Sequence, residues 1–282
     1  MKLHTTPPSN NRPRANSLRL LAVAMLLALT ALPGAGVSKV DAAVLPIGSM
    51  PYGKSYGDWS VAYWQWAWTF PASQSPWASD DTGALAGLGQ RGPVWFLGGS
   101  LGNSVERTFR MPAGKAIFMP VHQWIFGASV NDCEPSVPGV HCDVPTLQAS
   151  AAAAVDAATV VEVTIDGQRV GNERDYRAAS PGAFSLTMPA DNLGGLPAGT
   201  YSPQVSDGYW LILSPMSTGE HRIQVHVESS LGFGYLLTYN ITVAGRGIVA
   251  GANLSTGEPE VEPKGLQTAR RMSWGRVKAF YH

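Results

Sequence analysis

Cysteine is scarce in this sequence, because only Cys133 and Cys142 are present. Neither follows the apolar N-terminal segment closely enough for lipid attachment at a lipobox. With His141, the two thiols leave a zinc site one ligand short, so neither a metal nor a cofactor is expected. The cysteines are nine positions apart. In an oxidising compartment we expect them to form one disulfide that stabilises this local loop by about 2 to 3 kcal/mol.

The common catalytic motifs are also missing. The sequence contains no nucleophile elbow, zinc-protease helix motif, phosphate loop or dinucleotide fingerprint. On a β-sandwich, catalytic groups usually come from separate strands and loops, so these absences alone do not exclude an enzyme. We nevertheless favour a protein that is not an enzyme.

The N-terminus has the pattern of a secretory signal. A basic region that ends at Arg19 precedes the apolar stretch 20–32, which is interrupted at Pro33 and is followed by Ala42, a small residue suited to signal peptidase. This pattern predicts a signal peptide over residues 1–42 and a secreted or periplasmic protein. The alternative is a retained membrane anchor, which normally needs about 20 uninterrupted apolar residues.

Charge is distributed unevenly beyond that signal. Residues 43–263 carry a net charge of −9, whereas residues 264–282 carry +5. An acidic body argues against nucleic acid as a partner, since phosphate binding depends on clustered Lys and Arg. Residues 246–282 are predicted to be a polar linker and a basic tail that makes weak contact with a membrane surface. The alternatives are a loosely docked tail and a tail that folds back on the acidic body.

A segment rich in tryptophan follows the signal. Residues 58–70 alternate aromatic and small residues at helical spacing, with Asp58 as the expected cap and Pro71 as the stop. Only Ser60, Gln65 and Thr69 form a polar strip, so such a helix cannot face water over most of its surface. We expect it to be buried against a sheet. The alternative is that one aromatic face contacts a partner.

The rest of residues 43–245 is predicted to be one mainly β domain. Short apolar or alternating runs are separated by Gly, Pro and Asn, and Asp166–Gly167 is a strong hairpin signal. Together with a short Ala-rich helix at 145–158, this pattern favours an antiparallel, jelly-roll-like sandwich that carries the Trp-rich N-terminal helix. The candidate strands are Val94–Leu97, Val105–Met111, Ala116–Val121, Val160–Ile165, Ala183–Met188, Gly208–Leu213, His221–Val227 and Tyr235–Val243.

Several strings resemble a family of uncharacterised exported bacterial proteins. The resemblance covers roughly residues 52–243 and omits the tail. It implies export but no established activity, so no functional residue is carried over from it. The strings are Tyr56–Trp59, Trp64–Ala67, Gly89–Leu97, Pro112–Phe118 and Val205–Trp210.

Two polar groups of residues are candidates for chemistry or binding. His122 and Trp124 are predicted to follow a strand and to precede a loop that contains Asp132, Glu134, His141 and Asp143. Imidazole and carboxylates could gather there for acid–base chemistry, or the loop could simply be solvated. Glu220, His221, His226 and Glu228 flank a strand, as metal ligands or as part of an exposed face.

Aromatic residues near predicted loops are the better signal for ligand binding, because flat rings stack on sugars and apolar ligands. Trp77 and Tyr201 belong to this set. The ligand-binding candidates are His122, Trp124, Asp207, Tyr209 and Trp210.

The leading hypothesis is a non-catalytic binding or structural module of the envelope or secretome, with a polysaccharide or another envelope ligand as its partner. The alternative is a hydrolase or lyase of an extracellular polymer that uses His122 and loop carboxylates. Self-assembly through apolar surface is a third hypothesis.

Overall fold

The computed structural model describes residue 1 and residues 42–127 and 143–245. The chain divides into two units, Met1–Lys39 and Val40–His282, and the description below concerns the second. The predicted signal peptide up to residue 41, the proposed Cys133–Cys142 disulfide with His141, and the tail 246–282 lie outside the described residues, so these predictions stand as made.

Nine strands form two sheets in the described residues, which confirms the mainly β, sandwich-like prediction. One sheet has four strands in the order β1-β3-β7-β6, and the other has five in the order β2-β9-β8-β4-β5. All eight predicted strands are present, together with the short β5. The strands are β1 (Val94–Phe96), β2 (Val105–Pro112), β3 (Ala116–Gly127), β4 (Ala158–Ile165), β5 (Gln168–Arg169), β6 (Phe184–Met188), β7 (Gly199–Leu213), β8 (Gly219–Ser229) and β9 (Phe233–Ala244).

Two strand pairs differ from the expected antiparallel pattern. β1 runs parallel to β3, and β2 runs parallel to β9. Parallel neighbours need a crossover connection instead of a tight hairpin. The crossover from β1 to β3 passes through β2 in the other sheet, and the one from β2 to β9 spans most of the domain. The jelly-roll topology itself stays a prediction.

The Trp-rich helix α1 spans Tyr56–Ala67, so it begins two residues before the predicted start and ends three residues before the predicted end. The predicted cap was wrong. Ser55 is the N-cap, and its hydroxyl accepts a hydrogen bond from the Asp58 backbone N–H while the Asp58 carboxylate accepts one from the Ser55 N–H. This reciprocal capping box fixes where the helix starts.

Helix α1 lies buried on the outer face of the four-stranded sheet, as expected. The Tyr63 ring lies 5.3 Å from the Trp210 ring, which stacks on Phe118 at 5.1 Å. Close aromatic pairs of this kind stabilise a core by about 0.5–1.5 kcal/mol each beyond their buried area. We call the set the aromatic layer. Its aromatic members include Tyr56, Trp59, Tyr63, Trp64, Trp66, Trp68, Trp77, Phe118 and Trp210.

The second core lies between the sheets. Ile223 and Val225 of β8 point into it, opposite inward residues of β3 and β7 such as Ile117 and Leu211. Because side chains alternate along a strand, Arg222 and its neighbours at every second position point the other way. They form the outer face of the five-stranded sheet, and the predicted two-sided character of this strand is confirmed.

Helix α2 spans Val144–Asp156, close to the predicted 145–158. The Asp143 carboxylate caps it by accepting a hydrogen bond from the Thr146 N–H at 3.0 Å. The side chains of α2 pack against β3 and β7 at one end of the sandwich. Neither α1 nor α2, the two α-helices in the described part of the chain, is long and apolar enough to cross a membrane.

The predicted hairpin at Asp166–Gly167 is confirmed. It joins β4 to β5, and both turn residues have positive φ, 50° for Asp166 and 80° for Gly167. Two consecutive left-handed residues give the turn that matches the twist of two antiparallel strands, which is why an Asp-Gly pair is favoured there.

Candidate functional site at the end of the sandwich

The predicted end of one strand and the predicted start of another are wrong, because both strands are longer than expected. β3 continues to Gly127, so His122 and Trp124 lie within it, and β7 begins at Gly199, so Asp207 lies within that strand. The two strands pair along this extension, with His122 opposite Tyr209 and Trp124 opposite Asp207. The fold therefore brings four of the five candidates together at one end of the sandwich.

A β-bulge decides which way His122 points. Pro120 lies opposite Trp210 and His122 lies opposite Tyr209, so Val121 is an extra residue in β3. An extra residue reverses the alternation of side chains beyond it. His122 consequently points between the sheets, where its exposed fraction is 2%.

The His122 ring takes part in a chain of hydrogen bonds. The Trp124 indole N–H donates to His122 Nε2 at 3.2 Å, while Nδ1 lies 3.3 Å from Tyr235 Oη. The Tyr235 hydroxyl donates to the Val121 carbonyl at 2.9 Å. This pattern assigns the ring proton to Nδ1, which donates to Tyr235 Oη. The imidazole is thus neutral, and both of its nitrogens are engaged.

Burial lowers the pKa of His122 to about 4 from its ordinary value of 6.5. The nearby Ala154 carbonyl acts in the opposite direction, and the positive charge of Arg174 lowers the pKa further. A general acid or base works best when its pKa is near the operating pH. His122 is therefore a poor candidate for that role.

Asp207 is the centre of an ion pair. Arg177 Nη2 donates to Asp207 Oδ2 at 2.7 Å and Arg177 Nε donates to the same oxygen at 3.1 Å. The guanidinium also reaches Asp156 and the Ala152 carbonyl of helix α2. These carboxylates raise the pKa of Arg177. Because a cation at a helix C-terminus also favours the helix dipole, Arg177 fastens α2 to β7.

Tyr209 and Trp210 are buried on opposite faces of β7. The Tyr209 hydroxyl accepts a hydrogen bond from Arg174 at 3.3 Å, and the Arg174 guanidinium carbon lies 5.6 Å from the centre of its ring. Trp210 belongs to the aromatic layer and donates its indole N–H to the Ala178 carbonyl. Among the five ligand-binding candidates, only Trp124 is partly exposed. Ligand binding by the set stays a prediction.

A second constellation was missed in the sequence. His221 Nδ1 lies 2.7 Å from Asp166 Oδ2, and Nε2 lies 3.4 Å from Ser217 Oγ. These are the residue types of a catalytic triad, yet Nε2 is only 2.9 Å from the Ser217 backbone carbonyl. Both nitrogens face acceptors, which suits two N–H donors and leaves no lone pair directed at the hydroxyl. The Asp-Gly turn follows β4, and the pairing of β4 with β8 brings its carboxylate to His221.

His226, like His122 and His221, lies in a cluster of polar side chains. It lies on the outer face of the five-stranded sheet, with Nε2 3.4 Å from Glu228 and Nδ1 3.7 Å from Glu162, which in turn pairs with Arg169 at 2.8 Å. Across the described ranges, no three His, Cys, Asp or Glu side chains are arranged to hold a metal ion. This cluster is a network of surface ion pairs. Such pairs contribute little to stability.

Trp77 and Tyr201, the two other aromatic residues predicted to lie near loops, differ in their burial. Trp77 is buried in the aromatic layer, 5.4 Å from Trp64. Tyr201 lies in β7, is partly exposed and donates its hydroxyl proton to the Pro197 carbonyl.

No protein-family model, curated protein or solved structure matches this chain.

Proposed function

We propose that the protein is a non-catalytic binding or structural module of the envelope or secretome. One observation carries this proposal: the polar groups that the fold gathers satisfy one another. His122 is engaged at both nitrogens, Asp207 is held by Arg177, and His221 lies between two acceptors. A catalytic site needs a base or nucleophile that remains directed at a substrate. None of these groups has that arrangement.

The outer face of the five-stranded sheet is the surface best suited to a ligand. The equivalent face of the four-stranded sheet is covered by the aromatic layer. By contrast, the outer face of the five-stranded sheet exposes polar side chains along four strands. They are Glu106, Thr108, Arg110, Glu162, Thr164, Glu220, Arg222, Gln224, His226, Glu228, Asn240 and Thr242.

The chemistry of this face suits a hydroxyl-rich, uncharged polymer such as a polysaccharide. Two amides lie near its middle: Asn240 donates to Glu106 Oε1 at 2.8 Å, and Gln224 donates to Thr238 Oγ1 at 3.4 Å. Carboxylates and guanidinium groups are mixed on the face, so it presents no field of one sign to attract a polyanion or an anionic membrane. Side-chain amides and hydroxyls both donate and accept hydrogen bonds, as sugar hydroxyls do.

The test is titration of the mature protein, residues 43–282, with envelope polysaccharides by calorimetry. A double variant, Gln224→Ala with Asn240→Ala, should bind roughly tenfold or more weakly, since each lost hydrogen bond contributes about 1 kcal/mol. Gln148→Ala, on the exposed side of helix α2, is the matched control and should bind normally. Equal binding by all three proteins would reject this surface.

Polymer turnover is measured on the same samples. Release of new chain ends by the mature protein, lost in His122→Gln, would overturn the non-catalytic proposal in favour of a hydrolase or lyase. The proposal expects no release of chain ends at any protein concentration.

A further inference from the structure

His122 is a buried histidine whose charged form is favoured by the Ala154 carbonyl but is disfavoured more strongly by burial. The groups that face it come from every element packed at this end: Trp124 from β3, Tyr209 from β7, Tyr235 from β9 and the Ala154 carbonyl from helix α2. The nearby formal charge of Arg174 is positive. Within the described ranges, no carboxylate forms an ion pair with the ring, and the next one along β7, Asp207, is already paired with Arg177.

A second ring proton would disrupt this arrangement. Protonation puts a hydrogen on Nε2, which then faces the indole N–H of Trp124 at a donor–donor distance of 3.2 Å. Two N–H groups directed at each other repel, and a buried cation without a counter-charge is costly. Either the indole must turn away or water must enter.

The packing around His122 determines which segment moves when the ring is protonated. Trp124 is already partly exposed. The buried side chains of helix α2 are Leu147, Ala151, Ala154 and Val155, and the two alanines bury little apolar area. The C-terminal end of the helix is held more firmly, because Arg177 binds the Ala152 carbonyl and Asp156. The first turns of α2 lack these Arg177 contacts and are held by the Asp143 cap and the buried Leu147.

We propose that protonation of His122 is an acid-sensitive trigger that turns Trp124 outward and loosens the first turns of helix α2, so that the end of the sandwich opens in mildly acidic solution. The pH range of this opening follows from the pKa of His122 in the closed and open states. In the closed state burial holds the pKa of His122 at about 4, while a hydrated ring has its ordinary value of 6.5. Opening is therefore favoured progressively as the pH falls from 6.5 towards 4.

Hydrogen–deuterium exchange on the mature protein tests this trigger, with rates corrected for intrinsic chemical exchange. Between pH 7 and pH 5, the opening equilibrium for residues 144–150 should rise roughly 20-fold, as the two pKa values require. His122→Gln should abolish the rise, because its amide stays uncharged. His226→Gln makes the same chemical change at an exposed surface position and should leave the rise intact.

A second variant keeps the test decisive if His122→Gln does not fold. Arg174 is exposed, and its charge lowers the pKa of His122. Arg174→Gln should therefore bring the closed-state pKa nearer to the ordinary value and reduce the rise in exchange. An unchanged rise in His122→Gln or in Arg174→Gln, or a rise spread equally over β8 and β9, would overturn the proposal.

Discussion

The side-chain amide of Gln90 pairs with both backbone groups of Phe96. Its nitrogen donates to the Phe96 carbonyl at 2.8 Å, and its oxygen accepts from the Phe96 N–H at 2.9 Å. Phe96 ends β1, the edge strand of the four-stranded sheet. One side chain thus takes the place of a neighbouring strand and blocks an edge on which another chain could pair.

Gln90→Ala should unblock this edge. We expect the variant to lose about 1 to 3 kcal/mol of stability from two broken hydrogen bonds and to show a higher mass than the unmodified protein at the same concentration. Sedimentation velocity and thermal unfolding measure the two effects. Gln148→Ala is the control on the exposed side of helix α2. Equal mass and equal stability in both variants would show that the amide does not protect the edge.

Arg107 should tolerate no substitution by lysine. It is 2% exposed and donates to the backbone carbonyls of Asp80, Gly98 and Gly99. A lysine ammonium cannot match the planar fork that these carbonyls surround. Arg107→Lys should therefore reduce the free energy of unfolding by about 3 kcal/mol, as expected for a damaged buried polar network. Arg110→Lys, three residues on and exposed, should cost less than about 0.5 kcal/mol in the same denaturant titration.

Gly57→Ala should destabilise helix α1, although alanine is the better helix former by about 1 kcal/mol. A Cβ atom at Gly57 would lie 2.5 Å from the Ala179 carbonyl oxygen, which belongs to the backbone and cannot move independently. Gly48→Ala is the control, since a Cβ there meets nothing within 4 Å. A melting temperature that rises in Gly57→Ala would show that the two segments separate easily.

The stability of the whole domain should depend on His122 between pH 4 and pH 6.5. Because the pKa of His122 is lowered to about 4 on folding, the unfolded chain binds the proton more tightly. Its contribution is fully present above pH 6.5 and is lost as the pH falls towards 4, up to about 3 kcal/mol. Denaturant titrations at several pH values compare the protein with His122→Gln, whose curve should be flatter by this amount. Parallel curves would contradict the lowered pKa.

Ser217 should not react as a catalytic serine. His221 Nε2 is nearer to the Ser217 carbonyl, at 2.9 Å, than to its hydroxyl, so the hydroxyl is not activated. A fluorophosphonate probe should leave the folded protein unlabelled, and Ser217→Ala should change stability by less than about 0.5 kcal/mol. Asp166→Asn should cost more, because Asp166 also binds the Arg222 N–H at 2.8 Å. Labelling at Ser217 would restore the hydrolase hypothesis.

The sequence predicts elements whose residues repeat with a clear period. Ile223 and Val225 alternate with polar neighbours, and strand β8 follows from them. The strand extensions around His122 and Asp207 could not be predicted in this way. There, polar side chains point inward because a bulge at Val121 shifts the alternation and helix α2 covers the end of the sheets. Those contacts join segments that are far apart in the chain.

The same limit explains the missed partners of the candidate residues. His122 meets Tyr235, which is 113 positions away in the chain, and Asp207 meets Arg177 across 30 positions. A local sequence pattern cannot predict contacts between residues so far apart in the chain. The capping box at Ser55 is different, since Asp58 follows three residues later. This local spacing of Ser55 and Asp58 is the signature of a capping box, so the sequence alone is sufficient to predict it.

The parallel pairing of β2 with β9 has a consequence for how the chain acquires its fold. Thr108 pairs with Asn240, so β2 must wait for a partner that is synthesised more than a hundred residues later. Contacts this distant raise the contact order and slow folding. The five-stranded sheet cannot be completed until β9 has left the ribosome, whereas the strands of the four-stranded sheet have all been synthesised before it.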